Sequence, residues 1–246
     1  MHAVERLRAG LDAAIDNGGS GLAAADELCR ACVDLLGVDG AAISYLHDGT
    51  TAGTFGSSGD LSRRLDEFQF TFGEGPCFDA VATRRLVLVA DLSATGQRWP
   101  AFTNAVLREN IHAVFAAPVL IAQSPVGALD LFRVQPGPLT ADSVDGLAHA
   151  ARLAALPLLD LASADLPWAA AGNGAGTGWE QLASLERVEV YQATGMVMDQ
   201  LDCTAADALV RLRAHAFATN QTASDVAWAI VRRTLTFREQ STGADA

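Results

Sequence analysis

Residues Leu182–Leu201, LASLERVEVYQATGMVMDQL, decide how this chain is read. No glycine or proline interrupts them before Gly195, and apolar side chains recur at Leu182, Leu185, Val188, Tyr191, Met198 and Leu201. Steps of three, with one skip across Gly195, predict a long helix with a narrow apolar stripe. Arg187, Glu189, Gln192 and Thr194 fall mostly off that stripe. So narrow a buried face calls for a second helix against it. The stretch therefore reads as the pairing and partner-reading element of a small helical unit.

Downstream, two more helices are expected. Thr204 caps TAADALVRLRAHAFATN, with Asp207 three residues on, and Ala208, Leu209, Leu212, Ala216 and Phe217 form its apolar face. Thr222 caps TASDVAWAIVRRTLTF, with Asp225 at the same spacing and Val226, Ile230, Trp228 and Leu235 turned inward. Both are capping-box spacings with aspartate in place of glutamate. Three helices of this size hold a modest core and gain from a partner chain.

Upstream, residues 163–178 (SADLPWAAAGNGAGTG) are rich in alanine and glycine and nearly uncharged, which predicts a flexible linker. Before it, residues 1–16 place Val4, Leu7, Leu11 and Ile15 on one helical face. A second helix over about 22–36 is capped by Ser20 and stopped by Gly37. AAISYLH (41–47) and TTAGTFGS (50–57) read as paired strands, and 60–68 as a helix. FQFTFGEGPCFDAVATRRLVLVADL then reads as strand, glycine loop, short helix and strand. Ile111–Ile121 and Val126–Val134 form a hairpin joined by AQSP, and Thr140 and Asp142 open a helix running to about Leu161. The fold class is an α/β sensor with a mostly antiparallel sheet flanked by helices over 1–162, followed by an all-α three-helix domain over 179–246.

Composition limits the function classes. Half of the 246 residues are hydrophobic, 19% are charged and the formal net charge is −12, which opposes binding to nucleic acid by bulk electrostatics. All 17 basic residues are arginine. Cys29 and Cys32 form a CxxC, but within DELCRACVDLLG they read as small helix residues. Cys77 and Cys203 stand alone. His47, His112 and His149 show no metal-binding spacing, no catalytic constellation is present, and no cofactor or metal is expected. No signal peptide or membrane span is expected, so a cytoplasmic protein fits.

RVEVYQATGMVMDQL…AADALVRLRAHAFATN…TASDVAWAIV is similar to the ANTAR domain, an RNA-binding antitermination module. Gln192, Ala193, Gly195 and Met198 match its first run; Leu212, Ala216 and Asn220 its second; Asp225, Val226 and Ala227 its third. Many members carry lysine between the alanine and the glycine, where this chain has Thr194. The N-terminal part resembles a GAF domain through GEGPC at 73–77, VLVADL at 87–92, RWPAF at 98–102 and APVLIAQSPVGALDLFR at 117–133.

Together the resemblances imply a regulator in which a GAF-like sensor controls dimeric ANTAR-like domains. These would bind paired small-loop RNA hairpins and favour an antiterminator over a terminator. The candidate RNA-binding residues are Arg187, Gln192, Ala193, Thr194, Gly195, Met198, Arg211, Arg213, Asn220 and Thr222, with Arg232 and Arg233 as further cations. Trp179–Gln240 carries six arginines against eight acidic residues, so recognition of folded RNA fits better than non-specific attraction. Gly195 either admits a ligand backbone or packs tightly within the protein. Gly73, Glu74, Gly75 and Cys77 are candidates for a small-molecule site, or form a structural turn. A DNA-binding regulator, a sensor whose helices bind protein, and a thiol enzyme built on Cys77 remain as alternatives.

Overall fold

The computed structural model describes residues 3–47, 50–163, 185 and 187–237. Most of the expected linker and the start of the expected C-terminal domain, including Leu182, lie outside the described residues. The chain divides into two units, Met1–Glu186 and Arg187–Ala246.

In the first unit, strands β1 (Gly40–His47), β2 (Thr50–Ser57), β3 (Val87–Val89), β4 (Ala113–Ile121) and β5 (Ser124–Arg133) make one sheet. Its order is β2-β1-β5-β4-β3, with every neighbouring pair antiparallel. The helices are α1 (Ala3–Asn17), α2 (Gly21–Leu36), α3 (Asp60–Phe72), α4 (Pro76–Thr83), α5 (Pro100–Arg108), α6 (Ala141–Leu153) and α7 (Ala155–Ser163).

The β4–β5 hairpin occupies the middle of the sheet. Ala122 and Gln123 turn it with positive φ values of 47° and 71°, the twist that suits a two-residue connection. Phe115, Ala117, Leu129 and Leu131 point to one face, where they meet Leu11, Leu28 and Leu147 of α1, α2 and α6. Val114, Ala116 and Phe132 point to the other, against Leu65, Phe68 and Phe102 of α3 and α5. Both faces are covered, so the hairpin reads as near-continuous apolar sequence.

Three expectations are corrected. FQFTF is not a strand: α3 continues through it to Gly73, whose φ of 65° ends the helix. Its period-two look is deceptive, because Leu65, Phe68 and Gln69 are buried at helical spacing and Phe68 stacks on Phe72 at 6.0 Å. Ser20 stands at the N-cap of α2 without a side-chain bond to it. The helix expected from Thr140 to Leu161 is two, α6 and α7. Pro157 sits in the first turn of α7, where a backbone N–H would lack a helical acceptor anyway.

On the α3 side of the sheet, polar groups are buried in sequence-distant contact. Gln69 Nε2 donates to Asp130 Oδ2 at 2.8 Å, Thr54 Oγ1 donates to Asp66 Oδ2 at 2.6 Å, and both carboxyls are inaccessible to solvent. Burial pushes the Asp130 carboxyl up to about 8; the Gln69 hydrogen bond opposes the shift and Asp66 adds to it.

The second unit has three described helices, α8 (Val188–Leu201), α9 (Ala205–Thr219) and α10 (Ala223–Val231). Val190, Ala193, Val197 and Leu201 pack with Ala208, Leu212, Ala216, Val226, Ala227 and Ile230. The stripe read from the sequence is therefore displaced. Val188 and Tyr191 are 58% and 63% exposed, and Leu185 packs against the core of the first unit. Phe217 and Trp228, expected inside, are half exposed. Thr204 and Thr222 cap α9 and α10, accepting from the N–H groups of Asp207 and Asp225 at 3.2 and 3.0 Å. Asp225 completes the capping box by accepting from the Thr222 N–H at 3.1 Å.

The Asp130 shift sets a pH dependence. The folded protein holds this proton up to pH of about 8, whereas an unfolded aspartate releases it near pH 4 (about 3.9). Between those limits the unfolded state binds fewer protons, so the contribution of Asp130 to stability falls as pH rises and levels off above the folded value. Asp130→Asn is expected to raise the calorimetric melting temperature at pH 9, by about 1–3 kcal/mol of stability, and to converge with wild type near pH 4. Equal melting at pH 9 would show that the ionised carboxyl carries no cost.

Candidate functional site

The loop Gly73–Cys77 is built into the first unit by its own polar groups. Glu74 Oε1 accepts from the backbone N–H groups of Ala101 and Phe102 at 2.7 and 3.0 Å, capping α5, whose N-cap Trp99 supplies no side-chain bond. Cys77 N–H donates to Gln69 Oε1 at 2.8 Å. Gly75 has φ of 141°, and a Cβ there would lie 2.6 Å from Gln69 Oε1, so this close approach requires glycine. Gln69 thus ties the loop to Asp130 on β5. Of the two readings of Gly73, Glu74, Gly75 and Cys77, these contacts favour the structural turn: Gly75 and Cys77 are buried, Glu74 is engaged, and Gly73 is exposed. Cys29 and Cys32 are buried and free, and burial pushes both thiols up, Cys32 to about 12. That opposes thiolate chemistry there. Among the described residues no group of three His, Cys, Asp or Glu is arranged to hold a metal ion.

In the second unit the outward face of α8 presents Val188, Tyr191, Gln192, Gly195 and Asp199, all exposed. Nothing lies within 4 Å of where a Gly195 Cβ would be. Tight internal packing therefore does not account for this glycine, which leaves a dent in the helix surface beside Tyr191 and Gln192. Thr194 is half-buried and its hydroxyl donates back to Val190 O at 2.7 Å.

The expected RNA-binding residues separate by burial. Gln192, Gly195 and Arg211 are exposed, while Thr194, Met198, Arg213 and Asn220 are half-buried. Ala193, Arg187 and Thr222 are 0%, 4% and 4% exposed, and direct contact through these three is corrected. Ala193 lies in the core, and Thr222 is committed to capping α10. Arg187 is the N-cap residue of α8. Asn220 ends α9 in a left-handed conformation, φ 55°.

Arg187 and Arg213 form a charge pair that the sequence does not advertise. Burial lowers the Arg213 guanidinium from its ordinary value, and the positive charge of Arg187 adds to the shift. Sequence reasoning missed Tyr191 and Trp228 as surface aromatics; Arg232 lies over the Trp228 ring at 5.2 Å. The signal was available. Val190, Ala193, Val197 and Leu201 follow the helical period better than the chosen stripe, and they leave Tyr191 outside.

An antiparallel five-stranded sheet covered by helices on both faces is followed by a three-helix unit whose second and third helices are capped by threonines. Residues 23–158 match the GAF domain model and residues 181–231 the ANTAR domain model. The chain belongs to the GAF domain family and carries an ANTAR domain behind it, the architecture of RNA-binding regulators with a sensing domain. No curated protein matches the chain. Among solved structures it is similar to the GAF domain from Acinetobacter phosphoenolpyruvate-protein phosphotransferase, at 15% identity and TM-score 0.53, covering 68% of this chain and 99% of that one. The GAF domain of a phosphoenolpyruvate-protein phosphotransferase from Coxiella burnetii gives 15% identity, TM-score 0.55 and coverage of 68% and 100%. At such identity the likeness concerns the fold alone.

The open surroundings of Gly195 yield a stability prediction with an unusual sign. Gly195→Ala meets no neighbour and removes a helix-interior glycine, so it is expected to stabilise the second unit by about 0.5–1 kcal/mol. Chemical denaturation followed by far-ultraviolet circular dichroism checks this; a loss of stability would mean that the position packs against something.

Proposed function

We propose that this protein is a cytoplasmic, non-enzymatic transcription antiterminator. Its ANTAR domains, working as a dimer, grip paired small-loop RNA hairpins and favour the antiterminator fold under control of the GAF domain. The observation that carries the reading is the exposed α8 face, where Tyr191 and Gln192 flank the uncovered Gly195. An aromatic ring stacks on an unpaired loop base, an amide reads its edge, and a bare helix backbone lets the RNA approach. Arg211, exposed on α9, is the candidate cation for phosphate. Acidic residues elsewhere keep binding to unstructured nucleic acid weak, so specificity rests on hairpin shape.

A second copy is supported by α9, whose outer side leaves Ala206, Val210, Ala214 and Phe217 exposed at helical spacing, Val210 by 65%. Two modest sites in one dimer gain affinity through effective concentration when the RNA carries two hairpins. Val210→Asp is expected to turn a dimer into a monomer in sedimentation velocity and to erase the advantage of tandem over single hairpins. A monomeric wild type would remove the dimer from this reading.

The RNA reading is tested by electrophoretic mobility shift on a tandem small-loop hairpin RNA. The full chain is expected to retard it at micromolar protein, and Tyr191→Ala and Gln192→Ala to weaken binding by about tenfold each, equivalent to about 1.4 kcal/mol. Stronger retention of duplex DNA than of hairpin RNA in direct competition would refute it.

A further inference from the structure

Beyond this reading, the first unit holds a pocket of about 320 Å³ on the side of β4 away from β5. Its origin is topological. β3 pairs only with Val114–Ala116, so from Ala117 onward β4 has no strand neighbour on that side among the described residues. Upstream of Val87 the chain turns away at Arg84, which caps the end of α4 in a left-handed conformation with φ of 55°. The gap is floored by Ala117, Pro118 and Leu120 of β4 and walled by Ala148 of α6. Pro118 brings no N–H to this floor, which keeps it apolar.

The charged residues lining the pocket are Arg84 and Arg152, with no acidic side chain among the lining residues. This occurs in a chain with 29 acidic residues against 17 basic ones. Neither guanidinium has a carboxylate within salt-bridge distance among the described residues, whereas Arg30, Arg64 and Arg98 do. Arg152 is held from behind: its Nη2 lies 3.2 Å from His149 Nδ1, and His149 Nε2 lies 2.7 Å from Asp12 Oδ1. That chain engages one nitrogen of a guanidinium that lines the pocket.

We propose that this pocket binds a small organic anion, a carboxylate or phosphate monoester with a compact apolar body. The head would lie between Arg84 and Arg152 and the body over Ala117, Pro118 and Leu120. Planar guanidinium forks suit such heads, and the volume lies at the low end of small-molecule sites. The site differs in place and chemistry from the Gly73–Cys77 loop. It also stands independently of RNA binding, because it is measured without RNA.

The test uses the full chain in isothermal titration with octanoate and octyl phosphate as probes and octylamine as the matched cation. One saturable site per chain is expected for at least one of the two anions, and none for the amine. Arg84→Gln and Arg152→Gln are each expected to weaken it by about fivefold or more. Ala148→Leu, which fills the wall, is expected to abolish it while leaving the melting temperature of the free protein within a few degrees. Anion binding that survives both arginine substitutions or Ala148→Leu overturns the proposal. So does octylamine binding as tight as that of the anions, or no saturable binding of either anion at millimolar concentration.

Discussion

The constraint on which the first unit depends is the two-sided burial of the β4–β5 hairpin. Phe115 and Leu131 face one helical layer while Val114 and Phe132 face the other. A central antiparallel pair with two apolar faces cannot stand against water on either side. It therefore requires α1, α2 and α6 on one face and α3–α5 on the other. The same demand places Asp130 at a site without solvent, where Gln69 supplies a hydrogen bond. The raised Asp130 carboxyl is a consequence of core position.

This arrangement gives the glycine loop its structural task. Gln69 joins β5 to the N–H of Cys77, and Glu74 closes the start of α5. Two helices and a strand are thus locked by a short loop whose polar groups are engaged within the fold. The pocket beyond β3 has the opposite character. It exists because a three-residue strand stops short of its neighbour, leaving an edge that the helices flank but do not fill. A family fold with one short edge strand can in this way carry ligand chemistry at a place set by strand length.

In the second unit, small residues decide what the surface shows. Ala193, Ala208, Ala216, Ala223 and Ala227 fill the interior with short side chains, so the three helices approach closely and larger residues turn outward. Tyr191, Trp228, Val210 and Phe217 become surface features by that route.

Much of this was legible in the sequence. Thr140, Thr204 and Thr222 announced helix starts, because a hydroxyl three residues before a backbone N–H is a local device. The β4–β5 hairpin was legible from its apolar run, and the two modules from their motifs. FQFTF was not, because alternation over five residues is compatible with either period and only packing of Phe68 against the sheet side decides it. Nor was the exposed face of α8: a stripe of large residues looked like a core, and the true core used Ala193 and Val197 instead. Sequence alone determined which segments are helices and strands wherever a cap or a long apolar run governs locally. Tertiary structure decided which side of each helix is buried, which carboxyl is raised and which arginines meet, because burial and electrostatics depend on neighbours distant along the chain.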